Sequence, residues 1–256
     1  MHYVAIAMPV YNEADGLKET LADLSRIPGL LNIQIGLFIL DDCSSDNSLE
    51  IVDQFQGPGF RINTETNQNR LGHGPTVHRA YRRALESNAE CIVQLDGDGQ
   101  FMVDDVAKIM ASVLFGSEMA IGIRNNRIGP KHRRLASRLL RLIGYLAFGV
   151  NSKDLNSPIR AFRAESLSQI LSLVPQTSLI PNVYLSILGS RNFKRINQFD
   201  VEDRTRRGSY TVGSGWRKRK GLPFLNYKFL IFSIRALIEI FSIIRKWKKS
   251  KRTKLS

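Results

Sequence analysis

Asp96-x-Asp98-x-Gln100 follows directly on an apolar run, Cys91 to Leu95. Alternate residues of an extended chain point the same way, so these three polar side chains can share one side. Two carboxylates and an amide oxygen are hard donors, suited to Mg2+ or Mn2+ shared with phosphate oxygens of a nucleotide. A solvated turn can carry the same string, because a lone Asp-x-Asp is common. Here it has company. Asp41-Asp42-Cys43-Ser44-Ser45-Asp46 closes a second apolar run, Ile33 to Leu40, and a polar cluster at 9–13 closes a third, Tyr3 to Pro9.

The elements that would position these clusters are legible from periodicity. The three apolar runs read as buried strands. Between them, helical spacing appears over 13–25, where Leu17, Leu21 and Leu24 recur, and again over 47–55 and about 76–88. A short strand is expected near 60–64, followed by the Gly-rich turn Leu71 to Pro75. Strands alternating with helices predict an α/β fold, a mostly parallel sheet flanked by helices. Ligands of such sheets sit beyond the carboxyl ends of the strands, where all three polar clusters fall. There is no G-x-G-x-x-G after the first strand and no G-x-x-x-x-G-K-[ST], so dinucleotide and P-loop readings lose support.

The order and spacing of further motifs are more specific than any one of them. Pro9-Val10-Tyr11-Asn12-Glu13, the Asp41 to Asp46 cluster, Gly72-His73-Gly74 and the Asp96 to Gln100 cluster are followed by Gly122-Ile123-Arg124. Arg133-x-x-x-Ser137 and Asp154-Leu155-Asn156-Ser157-Pro158-Ile159-Arg160 come next. Over residues 4–209 the chain resembles a family 2 glycosyltransferase of the GT-A (Rossmann-like) fold, most of all the polyprenyl-phosphate sugar synthases. The resemblance implies a metal-dependent, inverting transfer of a hexose from a GDP- or UDP-sugar. Pro9, Tyr11 and Glu13 would line the base and ribose pocket, and Asp41 or Asp42 would hydrogen-bond the base or ribose. Asp98 and Gln100 would ligate Mg2+ or Mn2+, with Asp96 contacting the nucleotide or a metal-bound water. Arg124, Arg133 and Ser137 would hold the acceptor phosphate, a task suited to guanidinium forks. Arg133 can equally be read as part of a solvated face, since Lys131, His132, Arg134 and Arg138 surround it.

The acceptor is argued from what is missing. Family members that glycosylate a sugar hydroxyl usually carry a carboxylate base ahead of a helix in the second half. That slot aligns here with Pro181-Asn182, before the helix-like Val183 to Leu188, and holds no carboxylate. A polyprenyl phosphate needs no base, because its second pKa is near ~6 if it behaves as a phosphomonoester. The runner-up is transfer to a sugar hydroxyl of a glycolipid or polysaccharide, with Glu202 or Asp203 as base, although that pair reads as a strand end. Arg204, Gly208 and Ser209 fit only loosely the Arg, Gly and Ser-Lys that such synthases carry after this strand. A non-catalytic sugar-nucleotide-binding protein is therefore a further alternative.

The 256 residues hold 37 Lys and Arg against 23 Asp and Glu, a net charge of +14. Residues 1–203 are nearly neutral, with 21 basic and 22 acidic side chains. Residues 204–256 carry 16 basic side chains and the single acid Glu239. Such asymmetry points to nucleic acid or an anionic membrane. Nucleic acid is not expected, because it gives Asp96, Asp98 and Gln100 no role and the basic segment lacks interleaved aromatics. Residues 224–247 instead read as a basic amphipathic helix, with Lys228, Arg235, Glu239, Ser242 and Lys246 on one face. The expected organisation is a GT-A domain over 1–210, then this helix and basic tail over 211–256 as a membrane-surface anchor. Leu139 to Val150 could add a second interfacial element or be a core helix. No run of roughly 20 apolar residues suggests a spanning helix. Two cysteines, Cys43 and Cys91, and no signal-peptide layout fit the cytoplasmic face of a membrane, peripherally bound.

Overall fold

The computed structural model describes residues 1–57, 59–124, 131–207, 231 and 234–245, without the side chains of 131–136. The first three strands are β1 (His2–Val10), β2 (Ile33–Asp41) and β3 (Phe60–Thr66), followed by β4 (Cys91–Gln94). The sheet is completed by β5 (Met119–Arg124), β6 (Arg160–Arg163) and β7 (Ile196–Val201). Their order is β3-β2-β1-β4-β6-β5-β7. Only β6 runs against its neighbours β4 and β5; the remaining pairs are parallel. The α/β expectation therefore holds, with one strand reversed at the centre.

Successive residues of the central strands enter opposite core layers. Val4, Ile6, Met8, Cys91 and Val93 join one cluster; Ala5, Ala7 and Ile92 join the other. Both faces are covered, which is why these strands read as unbroken apolar runs rather than as alternation. On one face lie α1 (Ala14–Leu24) and α5 (Val103–Leu114), through Leu17, Leu21, Ile109 and Met110. On the other lie α4 (His73–Leu85), α7 (Ala164–Leu171) and α8 (Pro181–Asn192), where Tyr81 meets Phe162 edge to face at 5.9 Å. Each fully buried Leu, Ile or Phe contributes about 1.5–3 kcal/mol.

The short helices α2 (Ile27–Leu31) and α3 (Ser48–Gln54) link the early strands. Helix α4 starts at His73, three residues before the expected 76. Pro75 interrupts nothing there, since the first helical turn has no intrahelical acceptor for its missing N–H. Helix α6 (Lys131–Phe148) covers Leu139 to Val150 for most of its length. It packs Leu140, Ile143 and Phe148 inward and leaves Leu139, Leu142, Tyr145 and Leu146 exposed.

Of the expected helix at 224–247, residues 234–245 are helical. Ile240 and Ile243 are buried in the same core layer, and Glu239 accepts from the Ser178 hydroxyl at 2.7 Å and the Leu179 N–H at 2.9 Å. Lys228, Lys246, most of the basic tail and the boundary at 210 lie outside the described residues. No described helix is long and apolar enough to cross a membrane.

Candidate functional site

The carboxyl ends of β1, β2 and β4 converge, as parallel register requires, and bring three of the polar clusters together. The loops after β1 and β2 interlock. Asn12 turns with φ 53°, its N–H donates to Ser44 Oγ at 2.9 Å, and its side-chain oxygen accepts from the Ser45 N–H at 2.7 Å. Pro9 is buried within β1. Tyr11 is half-buried, with the Arg70 guanidinium 3.9 Å above its ring, a cation–π stack. Glu13 pairs with Arg206.

The two aspartates after β2 are fully engaged in holding these loops. Asp41 is completely buried and accepts from the Ser44 N–H at 3.1 Å. Asp42 is 3 % exposed. One of its oxygens accepts from Asn67 Nδ2 at 2.9 Å and the Leu71 N–H at 2.7 Å, and the other from the Gly72 N–H at 2.8 Å. The base or ribose contact expected of Asp42 would compete with backbone donors already in place.

The aspartates after β4 are different. Asp96 keeps 22 % of its side chain exposed and accepts one hydrogen bond, from Gln94 at 2.9 Å. Burial pushes its carboxyl above the ordinary range, while His73, Arg124 and the Gln94 bond pull the other way. His73 Nε2 lies 3.9 Å from Asp96 Oδ1. Asp98 is 8 % exposed and accepts from the Gln100 N–H at 3.3 Å. Its carboxyl is pushed up to about 8, first by burial, then by the Asp96 charge and more weakly by Asp203.

The segment after β7 straps this loop down. The Arg204 N–H donates to Gln100 O and the Arg207 N–H to Asp98 O, both at 3.0 Å, and Arg207 pairs with Asp23. A Cβ on Gly99, at φ +66°, would lie 2.7 Å from Arg207 Cδ, and one on Gly16 would lie 2.6 Å from Arg207 Cβ. Glycine at both positions permits the close approach. Gln100 Nε2 donates to Arg204 O at 3.0 Å, which turns its amide nitrogen to the strap and leaves Oε1 as the atom that could ligate a cation.

Crowded, donor-poor carboxylates beside an amide oxygen suit a divalent cation. Among the described residues no three His, Cys, Asp or Glu side chains converge closely enough to hold one alone. A cation here would draw on Asp98, Gln100 and ligand phosphate oxygens together.

Of the expected phosphate-holding residues, Arg124 lies close enough to Asp96 to act on its carboxyl. Arg124 is clamped to Asp154, Nε to Oδ2 at 2.7 Å and Nη2 to Oδ1 at 3.2 Å, with both side chains over nine-tenths buried. Its Nη2 also donates to Asn156 O at 3.1 Å, so Nη1 is the guanidinium nitrogen without a bond among the described residues. Ser137 is half-buried in α6. Arg133 is in the first turn of α6, and its side chain lies outside the described residues. Glu202 is exposed, its N–H on Asp105, whereas Asp203 is 7 % exposed and close enough to act on Asp98. The pair thus lies beyond β7, which ends at Val201, and not within a strand. Sequence reasoning gave no role to Arg70, His73 or Gln94. His73 carried a signal, since it lies within the quoted Gly-rich motif; Gln94 looked like one more strand residue.

The glycosyl transferase family 2 model matches residues 5–171, well over half of the chain. Similar curated proteins include the undecaprenyl-phosphate 4-deoxy-4-formamido-L-arabinose transferase of Pseudomonas fluorescens SBW25. It is 25 % identical over 182 residues, covering 71 % of this chain and 52 % of that protein. The protein of the same name from Klebsiella pneumoniae is 23 % identical, covering 70 % and 54 %. This chain spans about half the length of the curated relatives it matches. Among solved structures, glucosyl-3-phosphoglycerate synthase from Mycobacterium tuberculosis aligns with TM-score 0.60 at 16 % identity, covering 94 % of this chain and 79 % of that one. S. aureus TarS 1-349 in complex with UDP-GlcNAc aligns with TM-score 0.58 at 18 % identity, covering 82 % and 60 %. The seven-stranded sheet is the GT-A sheet of these neighbours, and with the matched region running from β1 to α7 the chain belongs to glycosyl transferase family 2.

Proposed function

We propose that this chain transfers a sugar from a nucleotide sugar to a polyprenyl phosphate, with Mg2+ or Mn2+ at Asp98 and Gln100. The observation that carries the acceptor is position 182. Asn182, in the slot where a base would stand, is 4 % exposed, and its Nδ2 donates to Gln94 Oε1 at 3.1 Å. A group so placed takes no proton from an acceptor. A phosphate acceptor is already ionised near neutrality and attacks without a base. Its oxygen would form the new bond to the anomeric carbon as the bond to the nucleoside diphosphate breaks, the electron pair leaving with the diphosphate. A divalent cation bound here supplies Lewis-acid neutralisation of that leaving charge. Tyr11 and Arg70 would hold the base, and Asp96 would orient the donor, so positioning supplies most of the rate. The curated relatives, which carry undecaprenyl-phosphate in their names, support this acceptor.

The test is sugar transfer to a short polyprenyl phosphate, with and without Mn2+, beside Asp98→Ala. The donor panel includes UDP- and GDP-hexoses and a UDP-pentose, since the relatives' named sugar is an arabinose derivative. A metal-dependent, chloroform-soluble product lost in the variant is expected; nucleotide-sugar binding without lipid product in any combination would overturn the acceptor. Asp203, buried beside Asp98, favours one second reading, transfer to a sugar hydroxyl with Asp203 as base. Asp203→Asn would then abolish transfer to sugar acceptors.

Peripheral binding at an anionic cytoplasmic membrane face belongs to the same proposal. Exposed Leu139, Leu142, Tyr145 and Leu146 on α6 and Ile234, Leu237, Ile238 and Phe241 on the 234–245 helix support it, with Arg138 and Arg141 exposed beside them. Co-sedimentation with phosphatidylglycerol vesicles, weakened by salt and by Leu146→Glu, is the expected result.

A further inference from the structure

A buried line of amides runs beneath Asp96. Gln94, the last residue of β4, is fully buried and donates from Nε2 to Asp96 Oδ1 at 2.9 Å. Its Oε1 accepts from Asn182 Nδ2 at 3.1 Å, and the same Nδ2 group donates to Ser157 O at 3.3 Å. The Asn182 backbone carbonyl accepts from Arg160 Nη1 at 2.9 Å. Arg160 faces Gln94 across the β4–β6 pair and is fully buried. Its other donors go to Ser157 O, Leu155 O and Ser186 Oγ.

The direction of every bond in this line is determined. A lone glutamine amide can offer Asp96 either its NH2 or its oxygen, because the two differ by a half-turn. A backbone carbonyl only accepts. Ser157 O therefore orients the Asn182 NH2, the Asn182 NH2 draws Gln94 Oε1 toward itself, and Gln94 must present its NH2 to Asp96. The bond engages Oδ1 and limits rotation of the carboxylate, and Oδ2 takes no bond from this line. The anchor is the 154–160 loop and the first turn of α8, far along the chain from β4. Arg160 holds both through carbonyl groups.

We propose that Gln94 and Asn182 are positioning residues that set the orientation of Asp96 toward the cation-bound diphosphate of the donor. This rests on the reading of Asp96, Asp98 and Gln100 as that site. Asn182 thus has a role of its own in the slot where a base is missing: it supplies a donor where a carboxylate would only accept. Outer partners of this kind change metal affinity or activity by about 10–100-fold when removed.

The experiment is Mn2+ binding, followed by water-proton relaxation with UDP and in parallel with GDP. The full chain is compared with Asn182→Asp, Gln94→Met, the Gln94→Met/Asn182→Asp double variant and Asp98→Ala. Asp in place of Asn182 cannot donate to Gln94. About tenfold weaker Mn2+–nucleotide binding by the folded variant is expected. Gln94→Met breaks the line from its other end and must give the same loss, which keeps the test intact if Asn182→Asp does not fold. Links in series act as one unit, so the double variant should bind no more weakly than the worse single one. A merely structural role would lower the thermal midpoint and leave the affinity of the folded protein unchanged. That result, or additive losses, would overturn the proposal. If Asp98→Ala also binds as the parent does, or the parent binds no Mn2+, the reading of the site itself fails first.

Discussion

Two aspartate pairs stand at the carboxyl ends of two strands of one sheet, Asp41-Asp42 after β2 and Asp96-x-Asp98 after β4, with β1 between them. Three N–H groups reach Asp42, so that carboxylate is satisfied within the fold, and the Ser44 N–H ties Asp41 to its own loop. Asp96 has the Gln94 amide and Asp98 a long bond from the Gln100 N–H; burial outweighs these contacts, and both carboxyls are pushed upward. Asp42 and Asp98 are both buried, so hydrogen-bond donors, more than burial, set Asp42 apart from Asp98. Asp42 is bonded into the loops of the fold; Asp98 is the carboxylate that the proposed function assigns to the cation.

The sharpest way to break this comparison is to remove one member of each pair. Asp98→Ala should lower sugar transfer by at least about a hundredfold, the scale of losing one preorganised charge-stabilising group. Its thermal midpoint should not fall, because a buried carboxyl with few hydrogen-bond donors is gone. Asp42→Ala should do the reverse. Stranding buried N–H donors costs about 3 kcal/mol, or roughly 6–12 °C in a chain of this size, read by calorimetry. A fall in midpoint of similar size for both variants would erase the distinction.

Next in size is ligand linkage. Mn2+ at a hundredfold excess over its dissociation constant should stabilise the parent by about 2.7 kcal/mol. The Asp42→Ala variant should keep that rise in midpoint and Asp98→Ala should lose it. The smallest effect belongs to Glu118, an exposed carboxylate that accepts the Lys194 N–H at 2.8 Å and the Arg195 N–H at 3.0 Å. Those bonds hold its carboxyl below the usual range. Its contribution is therefore fully present above the ordinary value of 4.5 and is lost as pH falls through the lower folded value. Glu118→Gln should flatten the drop in urea midpoint between pH 5 and pH 3 slightly and leave transfer unchanged. It extends the donor rule to a loop-building carboxylate at the surface.

The sequence alone determined the strand–helix alternation, the placing of polar clusters at strand ends and the family resemblance. Each of these is written in local order: unbroken apolar runs for β1, β2 and β4, and motifs at fixed spacing. Only the tertiary structure decided which aspartate is bonded into the fold. Asp42 differs from Asp98 through donors from Leu71 and Gly72 that a distant loop supplies, and Arg124 meets Asp154 across thirty residues of chain. Gln94 and Asn182 were illegible for the same reason. Hydrogen-bond partners are set by how layers of the fold meet, and a residue's own neighbours in sequence carry no record of them.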